Sequence, residues 1–393
     1  MLEPFPDIGW VFAFCPSSPN WSIDWIAMLE EFDWLRNLEK LDITLSPSTL
    51  KDNGLAYTKL VCETLVSLHS WRELNEQTRS IIFTATLLSS VIKPTSTKIN
   101  IDAEDNEDNN DNQNEHIFLQ GYRRNNAKIA RQILWEIKVP FYPREMIVAL
   151  INQSLLPFYL FERKDPQFSI IQASQTTRLD WLVIMSQAFV LVCNSADQKE
   201  LLDKIELFSE FAKEQLCFDS PYKFPSPHSR FIYFQKVGGD PNYHAYDDTS
   251  FEVILMCGLP ASGKDTWIKT NLSNWLVISL DEIRKELKIP PHKNQGEIIR
   301  ESKERARKFL REKKSFVWNA TNTMCSRRSQ LISLFNSYQA RIRIVYLETH
   351  LDELLKRNHK RDETVPKHII EKMLDNLEVP DLTEAHCVEW VIS

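Results

Sequence analysis

An apolar run, Phe251-Glu-Val-Ile-Leu-Met-Cys257, feeds directly into Gly258-Leu-Pro-Ala-Ser262-Gly263-Lys264. That is the pattern of a strand, a phosphate-cradling loop and a helix start. Backbone N–H groups of such a loop and the positive end of the following helix hold polyphosphate, and the lysine reaches the β and γ phosphates. Two of the chain's eight glycines stand at the required spacing with lysine after the second, which a chance surface turn does not explain. Gly258, Ser262, Gly263, Lys264, Asp265 and Thr266 are therefore the expected ATP-binding residues. Asp265 departs from the pattern, because a Ser or Thr hydroxyl ordinarily follows the lysine and ligates Mg²⁺. Either Asp265 or Thr266 is the expected contact to the Mg²⁺ that accompanies ATP, and the sequence leaves that choice open.

The 393 residues exceed what one core usually organises, so two folded units are expected. No run of eighteen apolar residues occurs and the first residues lack a signal-peptide pattern, which predicts a cytoplasmic chain with no membrane partner. Seven scattered cysteines without a C-x-x-C pair suggest neither disulfides nor zinc. The net charge of −7 matches the seven acids of residues 101–116, while residues 251–393 carry 24 Lys and Arg against 20 Asp and Glu. A polyanion can still be held by that basic part.

Up to residue 219 the pattern reads as all-helical. Trp21, Trp25, Met28, Leu29, Phe32 and Leu35 recur at helical spacing, as do Leu60, Val61, Leu65, Leu68 and Trp71. The acidic, Asn-rich run 101–116 is expected to be a disordered loop. Residues 220–250, rich in proline, glycine, tyrosine and aspartate, read as an irregular connector. From 251 to 393, strands expected at 253–256, 275–279, 315–319 and 341–347 alternate with helical stretches, which predicts a parallel α/β sheet.

Asp281 follows the second expected strand, where a carboxylate faces the nucleotide crevice and can accept a proton from an attacking hydroxyl. An ordinary helix N-cap is the competing reading. Arg284, one turn on, is placed to grip an acceptor-side phosphate. Asn319 and Asn322 at the end of the third expected strand, with Arg327 opening the next helix, either bind or orient the acceptor or cap that helix. Arg357 and Arg361, in the basic stretch 351–372, are the expected lid residues, supplying positive charge to the transferring phosphoryl group.

The motifs GLPASGKDT, SLDEIR, WNATN and RNHKRDETVP make the module from 251 to 393 resemble the kinase module of polynucleotide 5′-kinases that repair broken nucleic-acid ends. The resemblance implies that Lys264 binds phosphates, Asp281 is the general base, Arg284 contacts the acceptor phosphate and Arg361 clamps the donor. The amino-terminal half resembles the HD-type phosphohydrolase that precedes the kinase in bacterial fusions, where His and Asp ligands hold metals for removal of 2′,3′ end phosphates. Here Ser89 and Ser90 stand where the His-Asp pair belongs, and other ligand positions read Tyr57, Tyr122, Ser154 and Phe189. Such side chains do not make a stable first shell for a transition metal, so no metal is expected in the amino-terminal domain.

The fold expectation is thus a degenerate, all-α HD-like domain followed by a P-loop kinase domain with a parallel sheet. The functional expectation is ATP- and Mg²⁺-dependent phosphorylation of 5′-hydroxyl ends of RNA or DNA, with a separate phosphatase and ligase as partners in repair. Two other readings stay open: a small-molecule or nucleoside kinase, since fold does not settle substrate, and a non-catalytic nucleotide-binding interaction protein.

Overall fold

A computed structural model describes residues 5–40, 42–43, 52–89, 125–192, 198–236, 238–290, 295–361 and 364–393. The chain divides into two compact units, Met1–Tyr222 and Lys223–Ser393. The acidic run 101–116 lies outside the described residues.

The first unit is helical, with the principal helices at Gly54–Ser67, Glu76–Leu88, Phe141–Gln153, Leu179–Val192 and Gln198–Glu214. Two two-residue strands, Asp42–Ile43 and Asp52–Asn53, pair antiparallel beside them. Side-chain caps start the helices: the carboxamide oxygens of Asn53 and Asn75 accept from Ala56 N at 2.9 Å and Thr78 N at 2.8 Å. Of the expected apolar stripe, Val61 and Leu65 on the first of these helices and Trp71 on the short helix His69–Arg72 are buried, while Leu60 is exposed. Cys62 and Val66 are buried as well, so the inward face of this helix includes Val61, Cys62, Leu65 and Val66.

In the second unit the helix α1 (Pro227–Gln235) precedes strand β1 (Phe251–Cys257). Then come helix α2 (Lys264–Asn271), β2 (Leu276–Ser279), α3 (Leu280–Glu286) and α4 (Gln295–Arg311). β3 (Phe316–Asn319), α5 (Cys325–Asn336), β4 (Ala340–Glu348), α6 (Leu351–His359), α7 (Lys367–Asp375) and β5 (Cys387–Ile392) complete it. The five strands form one parallel sheet in the order β2-β3-β1-β4-β5. β1 pairs along its whole length with β4, from Phe251↔Ala340 to Cys257↔Tyr346.

Both faces of the central strands are covered, as a parallel sheet requires. Ile254, Met256, Val317, Val345 and Leu347 pack with Ile268 and Leu272 of α2. On the opposite face Phe316 and Trp318 meet Phe335 of α5, with ring centroids 5.7 and 6.0 Å apart. The chain leaves β1 toward β3 and β2, then crosses back to β4 and β5. The order therefore reverses beside β1, and crevices at such a point, outside the carboxyl ends of the strands, are where nucleotides bind.

The span expected to be an irregular connector carries α1. Ser226 caps it, accepting from Ser229 N at 3.0 Å, with Pro227 at its first turn. His228, Phe231 and Tyr233 are buried, and the Phe231 ring stacks on His386 at 4.0 Å. His386 Nδ1 accepts from Ile342 N at 3.1 Å, which leaves Nε2 to carry the proton donated to His228 Nδ1, also 3.1 Å away. Burial, reinforced by His228 and Arg341, pushes His386 down to about 3, so its ring is neutral across working pH.

No helix among the described residues is long and apolar enough to cross a membrane.

Candidate active site

The loop between β1 and α2 is shaped by two glycines. At Gly258 φ is +144°, and a Cβ there would lie 2.5 Å from Leu347 O and 2.9 Å from Ser262 Oγ, so no side chain fits. Gly263 caps α2 in the left-handed conformation at φ +98°, and the space above it is bounded by the Arg357 guanidinium, 3.8 Å from its ideal Cβ. The loop is tied to the neighbouring β3 edge, since Gly258 N donates to Thr321 O at 2.9 Å. Ser262 is buried inside it.

Lys264 opens α2 and folds back over the loop, its ammonium donating to Leu259 O at 2.7 Å and Gly258 O at 3.0 Å. Burial pushes this lysine down to about 8, and Arg361 adds to the effect while Asp265, Cys257 and Asp281 oppose it. The same field thus joins the loop lysine, the carboxylate after β2 and the arginine that follows α6. An anion laid along the loop would hold this lysine in its charged form.

Asp281 sits in the first turn of α3, but it is not the cap. Ser279 takes that role, its Oγ accepting from Glu282 N at 3.3 Å, so the N-cap reading of Asp281 is excluded. The Asp281 carboxylate stays largely exposed on the crevice side and receives Arg284 NH1 at 2.8 Å. Arg284 also donates to Gln295 Oε1 at 3.0 Å, while its Nε is buried without a hydrogen-bond partner.

Asn322 and Arg327 do not share one environment. Asn322 is buried with φ +45° and its amide donates to Met256 O at 2.7 Å, which fastens the 320–324 turn to β1. Arg327 is exposed in the first turn of α5. Its neighbour Arg328 is fully buried and holds Glu384 through two bonds of 2.6 and 2.7 Å, with further bonds to Asn322 O and Glu378 O. Arg328 is therefore the anchor of the turn that presents Asn322, while Arg327 is left facing solvent.

In the expected lid, Arg357 donates to Thr349 Oγ1 at 3.1 Å and Glu353 Oε1 at 3.0 Å, holding its guanidinium over the loop. Arg361 lies one turn on, half-buried, its backbone N–H closing on Asn358 O. Asn358 is buried and bonds both backbone groups of Val365, at 2.7 and 3.1 Å. It ties Val365 to α6, a positioning role that the sequence did not single out. Thr349 was missed likewise. Asn319, by contrast, is marked in the sequence by its place at the end of an apolar strand run.

Asp265 and Thr266 are exposed on α2, and the Asp265 carboxylate accepts from Asn319 Nδ2 at 2.6 Å. Hard oxygen donors of this kind, one carboxylate with hydroxyls nearby, suit Mg²⁺ completed by substrate phosphates and water. At the positions expected from the resemblance to correspond to HD-type ligands, the Ser89 and Ser154 hydroxyls donate to their own helix carbonyls, Thr86 O and Ile151 O, at 2.7 and 2.9 Å. Phe189 is buried and Tyr57 lies on the helix Gly54–Ser67. Ser90 and Tyr122 lie outside the described residues. No group of three His, Cys, Asp or Glu able to hold a metal occurs among the described residues.

Comparison with known proteins meets this same unit. Residues 253–380 match the model of an AAA domain. The L-seryl-tRNA(Sec) kinase of Methanococcus maripaludis is 28% identical over 137 residues, which make up 33% of this chain and 53% of that protein. The chain thus spans about half the length of that curated relative. A crystal structure of a protein from Chloroflexus aurantiacus, designated a kinase, aligns over 37% of this chain and 86% of its own length, with 16% identity and a TM-score of 0.32. The molecule is accordingly a helical amino-terminal region joined to a kinase-like P-loop domain with a five-stranded parallel sheet.

Proposed function

We propose that the carboxyl-terminal unit transfers the γ-phosphoryl group of ATP to the 5′-hydroxyl end of RNA or DNA. The observation that carries this reading is the arrangement of Lys264, Asp281 and Arg284 along one sheet edge, with the phosphate loop on one side and an exposed carboxylate–guanidinium pair on the other. In this account the loop amides and Lys264 hold the β and γ phosphates. Mg²⁺, held by Asp265 or Thr266 together with the phosphates, supplies charge neutralisation when bound. Asp281 takes the proton of the attacking hydroxyl while Arg357 and Arg361 stabilise the charge that develops on the transferring group.

A 5′-OH end differs from a free nucleoside by the phosphate on its 3′ side. Arg284 is adjacent to the proposed base and its side chain is partly exposed, which suits it to that phosphate. This favours a polynucleotide over a small acceptor. The resemblance of an L-seryl-tRNA(Sec) kinase to this unit keeps a second reading in play, an acceptor hydroxyl carried on tRNA or on a small molecule. The first unit then acts as a metal-free scaffold or docking surface of HD-like ancestry, within a cytoplasmic end-healing system that includes a separate phosphatase and ligase.

Acceptor competition tests the choice. With ATP as donor, a 5′-OH dinucleotide bearing its internal phosphate is expected to outcompete the matching nucleoside, and Arg284→Ala to erase most of that preference. Equal use of nucleoside and dinucleotide by the wild type would reject the polynucleotide reading in favour of a small-molecule kinase.

A further inference from the structure

Asp265 occupies the second residue of α2, where a phosphate loop ordinarily carries a hydroxyl. A carboxylate there adds negative charge beside a polyphosphate, and two like charges in one site disfavour each other. Yet the side chain is held in place. Its Oδ1 accepts from Asn319 Nδ2 at 2.6 Å, across 54 residues of sequence. Asn319 is buried at the carboxyl end of β3, where it pairs in register with Ser279, the cap of the helix that carries Asp281.

The contact also fixes chemistry. Only the NH₂ group of Asn319 can face a carboxylate as donor, which orients the amide. One carboxylate oxygen is engaged and the other keeps its lone pairs, pointing to a ligand that accepts hard anionic oxygen. The adjoining loop excludes a side chain at Gly258 and buries Ser262, so the carboxylate lies next to a space shaped for phosphate.

Resting on the nucleotide reading above, we infer that Asp265 is the divalent-cation anchor of this site and that Asn319 is its positioning residue. The consequence is a stricter coupling than a hydroxyl would give: the nucleotide binds well only as its metal complex, because the metal-free polyphosphate meets an uncompensated carboxylate. Thr266 is not needed as the metal contact.

Calorimetric titration of the full chain with ATP, in Mg²⁺ and in EDTA, tests this for the wild type, Asp265→Asn, Asn319→Ala and the double variant. The wild type is expected to lose affinity strongly in EDTA. Asp265→Asn is expected to bind metal-free ATP about tenfold more tightly than the wild type, the size of a ~1.4 kcal/mol charge effect, and to show little enhancement by Mg²⁺. Asn319→Ala is expected to cut the Mg²⁺ enhancement while Asp265 is present and to have no effect on it in the Asp265→Asn background, since the two act through one contact. A merely structural Asn319 would instead give the same change in both backgrounds, which overturns its assigned role. Full Mg²⁺ enhancement in Asp265→Asn, without tighter metal-free binding, overturns the anchor while leaving the nucleotide site standing. No binding by any variant in either condition overturns both readings.

Discussion

Lys264 is a lysine whose ammonium is held by two carbonyls rather than by a carboxylate, and burial brings it down to about 8 from its ordinary 10.5. Between those values the unfolded chain binds a proton that the folded lysine does not, so the stability of the second unit rises with pH from about 8 to about 10.5. A polyphosphate reverses the bias, because it favours the ammonium. ATP binding is therefore expected to take up protons at pH 8.5. Calorimetry in two buffers of different ionisation enthalpy would show it, and Lys264→Met should abolish it. The Gly258 geometry makes a second prediction at this scale. Gly258→Ala must displace Leu347 O or the Ser262 side chain, and should weaken ATP binding at least about tenfold while the denaturation profile of the first unit is unchanged. The residues that carry these effects were legible, because glycine and lysine spacing is a local signal. The Ser279 cap and the Asn319–Asp265 contact were not, since one depends on where a strand stops and the other on which strands become neighbours.

At the scale of elements, the turn from β3 to α5 is held by one buried ion pair. Arg328 reaches Glu384, Glu378 O and Asn322 O together, and removing it leaves a buried carboxylate without its partner. Arg328→Ala is expected to destabilise the second unit by about 3–5 kcal/mol, read as a shift of its unfolding transition in calorimetry. The adjacent Arg327→Ala should stay within about 0.5 kcal/mol and lose only acceptor affinity. Four of the five strands were legible as apolar runs ended by turn residues, among them β1 with its whole length buried or half-buried. β5 was missed because Cys387-Val-Glu-Trp-Val-Ile392 is an edge strand with mixed exposure and no clean alternation, whose only signal is its β-branched and aromatic content. α1 was hidden by the proline-rich composition around it, although Ser226-Pro227 is itself a helix-start pair.

For the whole molecule, the division into a helical unit and a parallel-sheet unit followed from a change of period, from helical recurrence to strands separated by crossover lengths. The history of the first unit could not be read from periodicity, and its proposed loss of metal chemistry rests on Ser89, Ser154, Tyr57 and Phe189 where ligands would stand. Metal analysis of the purified full chain is expected to find no stoichiometric transition ion, and the protein to leave 2′,3′ end phosphates untouched. Retention of both would restore the phosphohydrolase reading. The central claim is chemical transfer with Asp281 as base, and its loss should cost about 10²–10⁴ in rate with ATP affinity little changed. The most direct measurement is transfer of labelled γ-phosphate from ATP to matched 5′-OH RNA and DNA oligonucleotides, with and without Mg²⁺, by the wild type and Asp281→Ala. Transfer that requires both the metal and Asp281 is the predicted result. Transfer undiminished in Asp281→Ala, or none to either strand despite ATP binding, would contradict it.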